Sequence, residues 1–221
     1  MASKHKALVN NKTLLKSKAV QIWARRLHIY ISMALLLVVL FFAITGVTLN
    51  RPALFVKSQP DISQLTLSLP VELLSSDGGK YVPNESALVK HLTQYARLSG
   101  QPSALQVFTE VEDGELLEGE ITMDYKGPGY NVAVFIDMTS AVAVIEKTHY
   151  GAVAVLNDLH KGRNSGEVWK WFIDITALLM VFFVLTGVCL LVPKKKTFNT
   201  SLKWTVFGSL TTLLIFFVAV P

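Results

Sequence analysis

The side chains best suited to hold or move charge in this 221-residue sequence are five histidines and a single cysteine. Two of the histidines stand apart. His28 follows Arg25-Arg26-Leu27 and opens a long apolar run, and His160 precedes Lys161-Gly162-Arg163 shortly before a second one. An imidazole beside guanidinium groups at a membrane edge has two readings. It can be an interfacial residue, with its ring body in apolar surroundings and a nitrogen in water. It can also ligate haem iron, with Arg26 and Arg163 pairing with haem propionates. At the level of residue types both stand.

Asp174, inside the second run, is the other chemical candidate, because an intramembrane carboxylate is a functional-site hypothesis by default. It could accept a hydrogen bond from a ligand histidine or from Arg163, as carboxylates around metal sites do. The plainer reading pairs it with Lys170 at i−4. His5 falls in a basic tail, and nothing raises His91 or His149 above surface histidines. Cys189 is alone and inside an apolar run, which excludes a disulfide framework and a thiolate metal site within this sequence. There is no glycine-rich phosphate loop and no His-Glu-x-x-His.

The elements that must position these residues are set by hydropathy. Hydrophobic residues make up 51% of the chain and charged ones 17%, below the quarter usual for soluble domains, and mean hydropathy is +0.42. Residues 27–49 hold no acid or base besides His28. At 1.5 Å per residue they make about 34 Å of helix, enough to cross a bilayer core. The run is too long for a signal-peptide core and lacks a small-residue cleavage site. Residues 169–192 form a second span and 204–221 a third, shorter one. Trp23, Trp169, Trp171 and Trp204 sit at the ends of these runs, where aromatic belts form.

Charge sets the orientation. Of 21 Lys and Arg, seven precede Leu27 and four lie between Lys194 and Lys203, whereas all 16 acids fall between Asp61 and Asp174. Basic residues flank apolar runs instead of covering one folded face, so the pI of about 9.3 speaks for membrane topology and against nucleic-acid binding. The tail 1–26 and the loop 193–203 are therefore expected in the cytoplasm. Residues 50–168 are expected outside, and the C-terminus outside as well.

The segment 50–168 is long enough to fold by itself. Asn84 should cap a helix through Leu98, with Leu88, Val89, Leu92 and Tyr95 near helical spacing. Strands are expected at 105–111, 121–125, 132–136 and 141–146, the last two joined by Asp137-Met138-Thr139-Ser140. The predicted fold is three transmembrane helices plus a small α+β domain of one helix followed by three or four antiparallel strands. A helix over 150–160 and a polar turn over 162–166 lead back to the membrane.

One repeat crosses this plan. Phe41-Phe42-Ala43-Ile44-Thr45-Gly46-Val47-Thr48-Leu49 aligns with Phe182-Phe183-Val184-Leu185-Thr186-Gly187-Val188-Cys189-Leu190, identical at six of nine positions. The two spans run in opposite directions, so this is an inverted pair. Thr-Gly also favours close helix approach on compositional grounds alone.

Leu159-His160-Lys161-Gly162-Arg163, followed by Gly166, Trp169 and Leu185-Thr186-Gly187, resembles the PepSY-associated transmembrane helix family. So does Arg26-Leu27-His28 followed by Ile44-Thr45-Gly46. The resemblance covers both spans and the domain between them. Larger members are similar to inner-membrane siderophore-iron reductases with b-type haem, and others accompany extracytoplasmic flavoproteins. It therefore implies a bacterial inner-membrane protein with a periplasmic PepSY-like domain, passing electrons through haem b to a flavoprotein or ferric chelate. His28 and His160 would be the iron ligands. The chain is shorter than those reductases and poorer in histidine, so its standing as an enzyme is left open. The competing expectation is a non-redox protein whose PepSY-like domain binds or restrains a partner such as a peptidase. No second histidine lies on the same side of the membrane within reach of either candidate, so a bis-histidine iron needs a partner chain, which a homodimer with each residue near the two-fold axis would supply; the alternatives are one five-coordinate haem per histidine or ligands from a different subunit.

The topology is directly testable. Reporter fusions at Gln101 and Thr197 should respond oppositely to periplasmic and cytoplasmic reporters, and equal responses would refute the orientation.

Overall fold

The computed structural model describes residues 14–55, 59–74 and 81–221. His5 and the first half of the basic tail lie outside them. Three helices dominate: α1 (Lys18–Asn50), α5 (Gly166–Leu191) and α6 (Lys195–Ala219), the only three among the described residues long and apolar enough to cross a membrane. At 33, 26 and 25 residues they are about 50, 39 and 38 Å long, more than a bilayer core needs. Their apolar side chains stay largely exposed, Leu37 at 76% and Phe217 at 76%, which suits helices whose solvent is lipid.

Two boundaries differ from expectation. The helix carrying the first apolar run begins at Lys18, not at residue 27, and the expected loop 193–203 contracts to residues 192–194 because α6 starts at Lys195. Hydropathy locates the lipid-embedded part of a helix. The helix itself continues through charged residues until a breaker such as Pro193 interrupts it.

The chain divides into two compact units, one of Met1–Val39 with Asp174–Pro221, the other of Leu40–Ile173. In the first, the contacts of α1 with α5 descend in number on one helix as they rise on the other: Gln21 donates to the Cys189 carbonyl at 3.0 Å, and His28 meets Phe183. The helices are antiparallel, as the inverted repeat requires.

The second unit contains a short helix α2 (Pro52–Phe55), β1 (Asp61–Ser68), a 3-10 turn at Val71–Leu73, α3 (Glu85–Tyr95), β2 (Gln101–Pro102), β3 (Gln106–Glu112), β4 (Glu115–Gly127), β5 (Tyr130–Asp137), β6 (Val142–His149) and α4 (Ala152–Lys161). The six strands form one antiparallel sheet ordered β1-β6-β5-β4-β2, with β3 also on β4. Alternation along β4 and β5 sends Ile121, Met123, Tyr125, Val132, Val134 and Ile136 to one face, where α3 covers them with Leu88 and Leu92. Tyr125 ties the layers together by donating to the Val89 carbonyl at 3.3 Å, and burial pushes its phenol pKa up. Lys147 reaches from β6 to the Ala96 carbonyl at 2.5 Å and so satisfies the end of α3.

The sequence misses two strands, the two-residue β2 and the longer β1. β1 precedes α3 and pairs with β6 from Asp61↔His149 to Ser68↔Val142, although its residues are mostly exposed and its own pattern is weak. An edge strand of this kind is defined by its neighbour. The helix also ends three residues before the expected Leu98, because Arg97 turns into the left-handed region at φ +50°. Asn84 caps the helix as expected, accepting from Ala87 N at 3.1 Å.

The β5–β6 turn contains the domain's clearest electrostatic feature. The Asp137 carboxylate accepts from the Thr139 hydroxyl (2.6 Å), the Ser140 hydroxyl (2.8 Å) and the Thr139 amide (2.8 Å), which lowers its pKa from 3.8 to about 2. These bonds need the ionised form. A depressed folded pKa means that their contribution is complete above pH 3.8 and is lost as the pH falls toward 2. Carboxyl NMR should place the Asp137 midpoint near 2. A midpoint at the ordinary aspartate value would show that the turn bonds do not form.

Candidate functional site

The two histidines singled out by sequence each dock on a Thr-Gly pair of the repeat, and they do so crosswise. In the unit that holds both, His28 on α1 meets Thr186-Gly187 on α5. Its Nδ1 lies 3.1 Å from Thr186 Oγ1 and 3.2 Å from the Phe183 carbonyl. Thr186 Oγ1 already donates its proton to that carbonyl at 2.8 Å. The imidazole Nδ1 therefore carries a proton and donates, a tautomer assigned from the network. The ring stacks on Phe183 at 4.5 Å and 11°.

His160 repeats the arrangement in the other unit, at the last turn of α4. Its Nδ1 is 2.6 Å from Thr45 Oγ1, which donates its own proton to the Phe41 carbonyl at 2.7 Å, so the imidazole again donates through Nδ1. Phe42 meets the ring edge-on at 5.0 Å. Phe42 and Phe183 occupy equivalent positions in the repeat, three residues before the threonine. The glycines complete the match. A Cβ at Gly187 would stand 3.3 Å from His28 Cε1, and one at Gly46 would stand 3.8 Å from His160 Cε1. Among the described residues neither Nε2 makes a hydrogen bond.

Local chemistry explains why α4 presents His160 there. Its amide end is anchored by Gly129 at the β4–β5 turn, in the left-handed region at φ +63°, where a Cβ would fall 2.8 Å from Val155 N. Gly129 N donates to Asp158 at 2.8 Å. At the other end Gly162, at φ +66°, caps the helix and turns the chain into α5. Thr48 donates to the buried Asn157 at 2.6 Å, and the Trp169 indole donates to the Leu159 carbonyl at 2.8 Å. Trp169, expected as a belt residue, thus also anchors α4.

The remaining sequence candidates take other places. Arg26, two residues from His28, stands on another side of α1 and packs over Trp23 at 5.9 Å. The Arg163 side chain lines a cavity with Lys126 and Asn131, a lining that does not include His160. The expected propionate roles of both arginines therefore find no support in their positions. Asp174 is exposed and makes no side-chain bond among the described residues. Its expected partner Lys170 pairs instead with Glu167 at 2.6 Å, since i−3 on the outer side of the turn is equally close. No cluster of three or more His, Cys, Asp or Glu that could hold a metal occurs among the described residues. Sequence reasoning identified the histidines and the repeat but not that one binds the other. The shared Phe-x-x-Thr-Gly spacing was the available signal.

The model of the PepSY_TM-like family matches residues 22–221, both histidines and both Thr-Gly pairs included. The chain belongs to this family. No curated protein and no solved structure matches it. As a PepSY_TM-like protein it is a membrane protein with three spanning helices and a small α+β domain, and its two clasps are inside the family match.

Removing the Thr45 hydroxyl leaves the His160 N–H unsatisfied, whereas without the Thr186 hydroxyl the His28 N–H keeps the Phe183 carbonyl at 3.2 Å. Thr45→Val should destabilise the PepSY_TM-like chain by about 1 kcal/mol and Thr186→Val by less, read as lower thermal midpoints in detergent. Gly187→Ala should cost more than Gly46→Ala, because only the former forces the ring to move. The reverse order would contradict the packing.

Proposed function

We propose that the chain is a membrane electron-transfer subunit that holds b-type haem on His28 and His160. What supports this is the state of the two rings. Each is held through a donating Nδ1, which leaves Nε2 as a lone-pair nitrogen without a hydrogen bond among the described residues. An imidazole oriented through its other nitrogen is the usual form of a metal-ligating histidine. The glycine against each ring keeps its Cε1 edge, next to Nε2, free of a β-carbon. Haem, when bound, supplies one-electron chemistry at iron. Thr45 and Thr186 fix the tautomer, and Phe42 and Phe183 fix the ring planes.

Each clasp contributes one imidazole, so a second histidine on either iron would come from a partner chain, a homodimer in the simplest case. Donors on the cytoplasmic side or quinol, and an extracytoplasmic flavoprotein or ferric chelate as acceptor, complete the reading, in a bacterial inner membrane with the α+β domain in the periplasm. A second reading rests on the uncovered sheet face, where Phe108 and Phe135 are 58% and 45% exposed. In it the domain binds or restrains a protein partner, and the clasps only lock the helices.

Absorption spectra separate the two. Protein purified in detergent from haem-replete cells should show a Soret band and sharp dithionite-reduced bands. His28→Ala and His160→Ala should each lose about half the haem, and the double variant all of it. A colourless wild type would overturn the redox reading, full haem retention in a single variant would exclude that ligand, and a haem-loaded monomer would exclude the dimer.

A further inference from the structure

Beside the His160 clasp, within the same unit, lies a cavity of about 590 Å³ to which the electron-transfer reading gives no role. It falls in the size range of small-ligand sites. Its polar lining comes from the end of the β4–β5 hairpin (Lys126, Tyr130, Asn131), from Tyr150 and from the turn around α4 (Asp158, Arg163). Arg163 lies three residues before the first residue of α5, a membrane-spanning helix, which sets this lining close to the chain's point of membrane arrival.

The charges are mixed and incompletely used. The Arg163 side chain makes no hydrogen bond or ion pair among the described residues. Lys126 pairs with Asp124 at 3.2 Å at the surface. One Asp158 oxygen accepts from Gly129 N at 2.8 Å, and the other accepts nothing among the described residues. The Asn131 side-chain oxygen is buried without a partner. A buried carbonyl oxygen in this state wants a donor. A purely anionic ligand would satisfy Arg163 but would face Asp158 and offer nothing to Asn131. A purely cationic one would face Arg163 and Lys126. A ligand carrying both a phosphate and a primary ammonium uses all four groups.

We propose that this cavity binds a zwitterionic phosphate ester of the ethanolamine type, with phosphate on Arg163 and Lys126 and ammonium on Asp158 and the Asn131 oxygen. Guanidinium and phosphate pair through parallel hydrogen bonds, and Tyr130 and Tyr150 complete the lining. The N–H donors matter. A choline group has a charge of the same sign but cannot donate to Asn131. The same chemistry is offered by a phospholipid headgroup and by free phosphoethanolamine.

The test uses the full chain in detergent micelles, incubated in turn with phosphatidylethanolamine, phosphatidylcholine and phosphatidylglycerol, with retained lipid counted by native mass spectrometry. Free phosphoethanolamine is titrated separately by calorimetry. The expected result is at least tenfold preference for phosphatidylethanolamine over the other two. Asp158→Asn keeps an oxygen for Gly129 N while removing the charge, and should abolish that preference. Arg163→Gln, at an exposed position, should weaken retention of all phosphate-bearing lipids. Binding of free phosphoethanolamine without lipid preference would assign the site to the soluble ester. Equal retention of the three lipids with no binding of the free ester, or an unchanged preference in Asp158→Asn, would overturn the proposal. None of these readouts involves haem, so they stand or fall apart from the Soret measurement.

Discussion

Polar groups on helices in an apolar medium must find partners within the protein, because lipid offers none. The imidazoles of His28 and His160 meet that demand in one way: Nδ1 donates to the hydroxyl of a threonine that has already given its own proton to a carbonyl one turn back. A glycine next to each threonine lets the ring approach closely. The small residue and the polar residue are therefore parts of one device. Similar Thr-Gly pairs in membrane helices are often read as packing surfaces, but here each pair receives a side chain instead of a helix backbone.

The domain between the spans solves the complementary problem in water. Its sheet buries one face under α3, with Leu88 and Leu92 over the alternating residues of β4, β5 and β6. Tyr125 and Lys147 satisfy carbonyls at the helix–sheet boundary. The sheet is continued into the membrane-bound part of its own unit through α4, which the tight approach of Gly129 pins to the β4–β5 turn. His160 thus reaches Thr45 from a helix whose position is set by the sheet, whereas His28 reaches Thr186 from a spanning helix. The two clasps share the Nδ1–threonine bond and the adjacent glycine although their scaffolds and ring packing differ, which makes the repeated Phe-x-x-Thr-Gly segment, not the histidine-bearing helix, the common element.

That asymmetry bears on the arginines. Residue types alone paired each histidine with its sequence neighbour, yet neighbours two apart on a helix do not face each other, and the Gly162 turn carries Arg163 to the cavity that Lys126 and Asn131 line. Asp174 fails as a partner of Lys170 for a related reason, since Glu167 competes on the same side of the first turn of α5. Sequence proximity is a poor guide to contact wherever a helix or a left-handed cap intervenes.

Much was legible in the chain itself. Span number, the strand–turn–strand end of the domain, the Asn84 cap and the two histidines all follow from local signals: hydropathy, period-2 alternation, a short polar cap and rare residue types at membrane edges. The inverted repeat was legible too, as a match of letters. Tertiary structure alone decided what depends on distant partners. β1 exists as a strand because β6 offers it hydrogen bonds, and each histidine finds the Thr-Gly pair more than a hundred residues away. Local patterns report what a residue prefers, but a side-chain hydrogen bond between segments is formed only when folding brings both ends together, and no local preference encodes that distance.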